Sequence, residues 1–278
     1  MITAVPGVRA GHWTDEQART GCTAILFPEG TVASGEVRGG APATREWELL
    51  APERTVARID ALLLCGGSAF GLAACDGAMH FCEEAGRGVP TPAGPVPIVV
   101  GAAIFDLGVG EARVRPGAAE GYAACAAAAG DEELTGGPVG AGTGATVAKA
   151  TGAPRAAGLG VASSHDGDLV VAAIAVVNAW GDAYDRDAGA PVAGGTPFEG
   201  ANTTLALVAT NARLTKLQCL RLAQAGHTGM GRALEPAHSA FDGDAVVGAA
   251  TGAVDADLEH VRVLAARATE AAVRQPLA

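Results

Sequence analysis

Short apolar runs of strand length alternate along the chain with longer stretches of helical spacing. Residues 58–65 read as a short strand, apolar from Ala61, that stops at Gly66-Gly67-Ser68; over 69–84, Leu72, Cys75, Met79 and Cys82 then recur roughly in phase with a helix. Residues 97–103 read as a strand and 118–129 as an alanine-rich helix. The stretch 169–177 is apolar at nearly every position, which predicts a strand covered on both faces. Residues 204–210 read as the next strand. Thr215 is placed to cap a helix carrying Leu217, Leu220 and Leu222 to about Leu234. A last strand is expected over 244–250. A last helix is expected over 255–274, with Leu258, Val261, Leu264 and Ala268 on one face. There is no internal repeat. This order predicts α and β layers around one core, with strands and helices not strictly alternating.

One stretch resists this reading. Residues 183–201 are mostly Gly, Ala, Pro, Asp and Arg without any apolar period. So long a structureless loop inside a compact domain is either functional or disordered. It ends in Gly200-Ala201-Asn202-Thr203-Thr204-Leu205, where the next strand begins. One reading is a loop before a strand that starts Asn-Thr. The other is a self-cleavage site at which Thr203 attacks the carbonyl of Asn202 and becomes a new N-terminus. Its hydroxyl is then the nucleophile and its freed α-amine the base.

Composition narrows the function classes. Aromatics are only 4% of 278 residues, so the core must be built from Ala, Val, Leu and Ile. The formal net charge of −11, with no Lys/Arg cluster, disfavours nucleic-acid binding and suits a soluble protein. Six cysteines without a Cys-x-x-Cys pair signal neither a zinc site nor a disulfide framework. Several lie in apolar surroundings as small buried hydrophobes. The N-terminal residues lack a charged and then apolar leader, and no apolar run reaches membrane-spanning length. A cytoplasmic protein without a membrane segment is expected, with no metal and no cofactor.

Several segments are candidates for chemistry. Gly66-Gly67-Ser68-Ala69-Phe70-Gly71 lies between a strand and a helix as a nucleophile elbow does, but Phe70 stands where the elbow needs glycine. A tight turn is the simpler role, and a serine hydrolase built on Ser68 is the competing one. Gly140-Ala141-Gly142-Thr143-Gly144-Ala145 lacks the strand and ribose-binding acid of a dinucleotide loop and suits a backbone pressed against something bulky. Lys149, in this small-residue setting, is either solvent-facing or partly buried against a carboxylate or oxyanion. Asn178 ends a buried strand as a turn residue or an oxyanion donor. Asp242 and Asp244 are an Asp-Gly turn, or a pair of acceptors for a cationic amine such as the Lys149 ammonium. The six histidines form no metal-spaced set; His227 and His238 flank a helix end where they could line a pocket, and are taken by default as surface or helix-end residues.

Together these blocks resemble, over nearly the whole chain, the self-processing L-aminopeptidase/D-esterases and β-aminopeptidases. That family includes the endo-type nylon-oligomer hydrolases. The matching stretches are Val5-Pro6-Gly7-Val8, Gly11-His12, Val37-Arg38-Gly39-Gly40-Ala41-Pro42-Ala43-Thr44-Arg45-Glu46, Leu64-Cys65-Gly66-Gly67-Ser68-Ala69-Phe70-Gly71-Leu72, Val139 to Val147 with Lys149, Val177-Asn178-Ala179 with Gly181-Asp182, Asn202-Thr203-Thr204 and Asp242-Gly243-Asp244. The resemblance implies an α/β fold, a four-layer αββα sandwich of the aminopeptidase/ornithine-acetyltransferase-like type. It implies a single domain, 1–278, that cuts itself into fragments 1–202 and 203–278 that stay associated, and a homo-oligomer of such pairs. It also implies a hydrolase of peptides, amides or esters, on the Asn-Thr branch, with Thr203 as nucleophile, Asn178 as oxyanion donor, and Lys149, Asp242 and Asp244 positioning and tuning the nucleophile. Uncut, Thr203 has no free amine, so the first cut needs another base, Lys149 or Asp242. The alternative is a catalytically silent, small-molecule-binding or assembly protein of the same fold.

Overall fold

The computed structural model describes residues 1–130, 134–184 and 202–277, so residues 185–201 of the Gly/Pro-rich stretch lie outside the described residues. Ten strands build two sheets: β1 (Arg9–Asp15), β2 (Thr20–Leu26), β3 (Val32–Val37), β4 (Thr44–Arg45), β5 (Ala61–Cys65), β6 (Val99–Ala103), β7 (Gly158–Asp166), β8 (Leu169–Asn178), β9 (Thr203–Ala212) and β10 (Ala245–Val254). One sheet runs β1-β2-β5-β6-β4, the other β3-β10-β9-β8-β7. Four main helices are α1 (Ala74–Glu84), α2 (Ala118–Ala129), α3 (Lys216–Ala233) and α4 (Leu258–Arg274). The pairs β5/β6 and β9/β10 are parallel, and each is joined through a helix, as a parallel connection requires.

Alternation along the strands divides the apolar residues into three cores. Leu62 and Leu64 point to the space between the sheets, where they join Ile25, Val100, Ile174, Leu205 and Val247. Leu63 and Cys65, from the same strand, pack against α1 and α2 with Ala74, Ala78 and Ala124. Val171, Val208 and Val246 leave the other sheet on its far side and meet Leu222, Val261 and Ala265 of α3 and α4. Three cores between four layers make the αββα sandwich that the family resemblance implies. Their lining is largely alanine and valine, as the low aromatic content requires. All six cysteines are buried and unpaired.

The predicted helix over 69–84 is broken. Gly67 and Ser68 both take left-handed backbone angles (φ 77° and 55°), which turns the chain sharply out of β5. One turn at Ser68–Gly71 follows, and the N–H groups of Ala73 and Cys75 then bond three residues back, to Phe70 and Leu72, so the α ladder restarts only at Ala74. Thr215 caps α3 as expected, through a reciprocal pair with Gln218. The Gly140 block forms a tight turn pressed onto β7, where a Cβ on Gly142 would stand 2.4 Å from the Leu159 nitrogen.

Candidate active site

Thr203 is the first residue of β9 and Asn178 the last of β8, and the two are direct partners in the antiparallel ladder. By alternation Thr203 shares the inter-sheet face with Leu205 and Leu207, whereas Thr204 points with Ala206 and Val208 toward the helices. Asn178 shares the inter-sheet face with Ile174 and Val176. Both side chains therefore lie at the same end of the layer between the sheets.

The Asp242-Gly243-Asp244 turn runs beside Asn202 as an isolated parallel bridge. The Asn202 N–H donates to the Phe241 carbonyl at 3.3 Å, and the Gly243 N–H donates to the Asn202 carbonyl at 2.7 Å. The Thr203 hydroxyl donates to that same oxygen. Two donors thus converge on the carbonyl before Thr203, in a setting where Asn202 is 0% and Thr203 3% exposed. Residues 38–41 close over the turn: the N–H groups of Arg38 and Gly39 donate to the Asp244 carbonyl, and that of Ala41 to the Asp242 carbonyl. Only glycine fits there, since a Cβ on Gly39 would stand 2.2 Å from the Asp242 carbonyl oxygen.

Asn178 is fixed at both ends of its amide. Its Nδ2 donates to the Phe105 carbonyl at 3.0 Å, and its Oδ1 accepts from the Thr146 N–H at 3.0 Å and from Lys149 at 2.8 Å. The Lys149 ammonium also reaches the Asn178 carbonyl at 2.9 Å and the Thr146 carbonyl at 3.0 Å. Three acceptors match the three N–H donors of an ammonium and favour charge. Burial works the other way and pulls the amine down to about 7, with the Asp242 carboxylate pulling back up. Lys149 therefore changes charge near neutrality while held on the strand end opposite Thr203. It makes no hydrogen bond to the Thr203 hydroxyl.

The two aspartates do not hold that ammonium. Among the described residues neither forms an ion pair with Lys149; backbone N–H groups, the Ser239 hydroxyl and the His238 ring occupy them instead. Asp242 accepts from the N–H groups of Trp180 (3.1 Å) and Ser239 (3.0 Å) and from the Ser239 hydroxyl. Burial raises its pKa, and the nearby Asp244 charge adds to the rise. Asp244 accepts from the Thr204 N–H at 2.6 Å, and its other oxygen accepts from the N–H and Nδ1 of His238 at 2.9 and 2.8 Å. The expectation that His227 and His238 are surface or helix-end residues fails for His227, which lies within α3, whereas His238 follows the helix and is half-buried. His227 is 1% exposed, and the rings meet edge to face with centroids 4.8 Å apart. The sequence singles out the stretch that holds Gly243 but assigns no role to its N–H, nor any to His238. The first is a backbone atom and the second sits in an aperiodic loop.

Ser68 stands apart from this network: its hydroxyl makes no hydrogen bond among the described residues, while its N–H donates to the Ile104 carbonyl. Nor do the described residues contain a group of three His, Cys, Asp or Glu side chains disposed to hold a metal ion. No helix among them is long and apolar enough to cross a membrane.

The constellation of Thr203, Asn178, Lys149, Asp242 and Asp244 at one end of an αββα sandwich is accompanied by a match over residues 1–277 to the model of peptidase family S58. The chain belongs to peptidase family S58. The chain is similar to an uncharacterized aminopeptidase of Mycobacterium leprae, 42% identical over 92% of this chain and 79% of its own length. The 6-aminohexanoate-oligomer endohydrolase of Paenarthrobacter ureafaciens is 28% identical over 90% of this chain and 74% of its own. Among solved structures, the fold is similar to the β-aminopeptidase of a Burkholderia species. The TM-score is 0.73 at 24% identity, covering 98% of this chain and 84% of that one. It is similar also to the L-aminopeptidase D-Ala-esterase/amidase of Ochrobactrum anthropi, described as a variant of the Ntn hydrolase fold. There the TM-score is 0.74 at 16% identity with the same coverage. The S58 chain is thus a peptide or amide hydrolase on an N-terminal-nucleophile fold.

Proposed function

We propose that the chain cuts itself between Asn202 and Thr203 and then hydrolyses amides with Thr203 as N-terminal nucleophile. The observation that carries this reading is the Asn202 carbonyl, whose oxygen receives both the Thr203 hydroxyl and the Gly243 N–H. In the first cut Oγ1 of Thr203 bonds to the Asn202 carbonyl carbon and gives its proton to a base, Lys149 in its neutral form. The C–N bond breaks, the nitrogen takes up a proton, and an ester links the two fragments. Water then hydrolyses the ester, leaving a carboxylate on Asn202 and a free α-amine on Thr203.

Turnover repeats this chemistry on a substrate. The α-amine, with an ordinary pKa of about 8, takes the hydroxyl proton and passes it to the departing amine. The developing oxyanion is met by the Gly243 N–H and by the second N–H of the Asn178 amide, a kind of donor worth roughly 3 kcal/mol. Asp244, bonded to the Thr204 N–H, holds the residue after the nucleophile, and Asp242 tunes Lys149 by its charge. Exit of the chain before Thr203 opens the site to substrate. Relatives named aminopeptidase and oligomer endohydrolase support small peptides or amides as the substrate class. Fragments 1–202 and 203–278 stay together as a cytoplasmic homo-oligomer of pairs, without a cofactor.

Intact-mass analysis of fresh protein tests this. Wild type yields the two fragments, with threonine as the N-terminus of the smaller, and Thr203→Ala stays whole and inactive. A wild-type chain that stays whole through long incubation would instead favour a silent binding protein.

A further inference from the structure

We propose that His238 is a positioning residue for the nucleophile, acting through Asp244. This rests on the reading of Thr203 given above. One oxygen of Asp244 takes the Thr204 N–H at 2.6 Å. The other takes two donors from His238, its backbone N–H at 2.9 Å and its Nδ1 at 2.8 Å. A carboxylate with both oxygens engaged cannot swing, so the peptide that follows Thr203 is clamped. That peptide sets the rotation of the Thr203 backbone, which carries both the hydroxyl and the future α-amine.

The imidazole is built for this one contact. Bonding to a carboxylate places a proton on Nδ1, and Nε2 is buried with no partner among the described residues. Against it packs His227 of α3, whose Nε2 bonds the Glu36 carbonyl at 3.0 Å and whose buried Nδ1 has no partner among the described residues. The two rings support each other edge to face at 4.8 Å. His238 also takes a left-handed backbone conformation (φ 57°), which turns its N–H and its ring to the same carboxylate oxygen. Few side chains tolerate that conformation; asparagine and glycine do.

Those two residues supply the experiment. His238→Gly keeps the backbone conformation and removes the Nδ1 donor. His238→Asn keeps the conformation and restores a donor on the atom that corresponds to Nδ1. The processing rate is read by intact mass, and kcat and KM on a peptide amide are read after processing. His238→Gly should slow processing and lower kcat between about tenfold and a hundredfold, the scale of one hydrogen bond to a charged group, with KM within about twofold. His238→Asn should recover most of the loss. Should His238→Gly fail to fold, His238→Asn is compared with His238→Gln, whose amide lies one methylene too far, and only the former should work. Wild-type rates in His238→Gly, or no gain from asparagine over glycine or glutamine, overturn the proposal. Thr203→Ala run alongside separates the two claims: if that variant is cut and active, the nucleophile itself is misassigned.

Discussion

The tightest test of the site uses an atom that cannot be mutated directly, the Gly243 N–H. A Cβ added at Gly243 would stand 2.7 Å from the Thr203 hydroxyl oxygen, 2.7 Å from the Ala41 carbonyl oxygen and 3.2 Å from the Pro42 Cα. Two of these neighbours are backbone, so Gly243→Ala must push the turn away or rotate the Thr203 hydroxyl off the Asn202 carbonyl. The first movement spoils the 2.7 Å bond from Gly243 to that carbonyl, and the two backbone contacts make it the one that must occur; the second takes the nucleophile off the bond it would attack. Removing one such donor from a developing oxyanion slows a reaction about 100- to 1000-fold, close to 3 kcal/mol of barrier. The overpacking costs the fold roughly 1–3 kcal/mol, enough to lower Tm but not to unfold a domain of ordinary stability. The assay is the conversion of full-length chain to fragments, followed by mass from the end of cell-free translation. If Gly243→Ala remains folded and is cut with a half-time within about threefold of wild type, Gly243 is not the oxyanion donor.

Further expectations follow from the charges. Lys149 loses its proton near pH 7 when folded, against 10.5 ordinarily, so the processing rate should rise with pH through about 7 and then level off. Lys149→Met should slow both processing and turnover; normal rates in both would remove it from the site. The unfolded chain holds the Lys149 proton between pH 7 and 10.5 and the folded chain does not, so stability should rise with pH across that window and rise less in Lys149→Met, as read by urea unfolding. His227, pushed down to about 4 chiefly by burial, contributes stability above its ordinary 6.5 that is lost as pH falls toward 4. The loss is about 3 kcal/mol, and His227→Gln should show a smaller one by the same measurement.

Periodicity served where a strand or helix is apolar enough to announce itself. The helix at Ala118–Ala129 and the strand at Leu169–Asn178 lie almost where the pattern predicts them. It failed over the first 57 residues, because β1 reads Arg-Ala-Gly-His-Trp-Thr-Asp, with no alternation to follow. The sheet order was also hidden, since β3 pairs with β10 across 208 residues of chain. The family resemblance pointed to Thr203, Asn178, Lys149, Asp242 and Asp244, and the fold gathers all five. What those residues touch was not legible. Asp242 and Asp244 are taken up by backbone N–H groups from three separate segments, and such partners leave no trace in residue identity.

Two threonines stand side by side at the start of β9, chemically the same, yet the pleat sends one into the seam between the sheets and the other, its buried hydroxyl without a partner among the described residues, toward the helices. A scission displaced by a single bond would therefore free an amine beside an alcohol aimed at the wrong layer. On the proposed reading, fidelity of the break is a property of the strand's phase, and inserting one residue just after Thr204 would bring the idle twin into the place opposite Asn178 that Thr203 now holds.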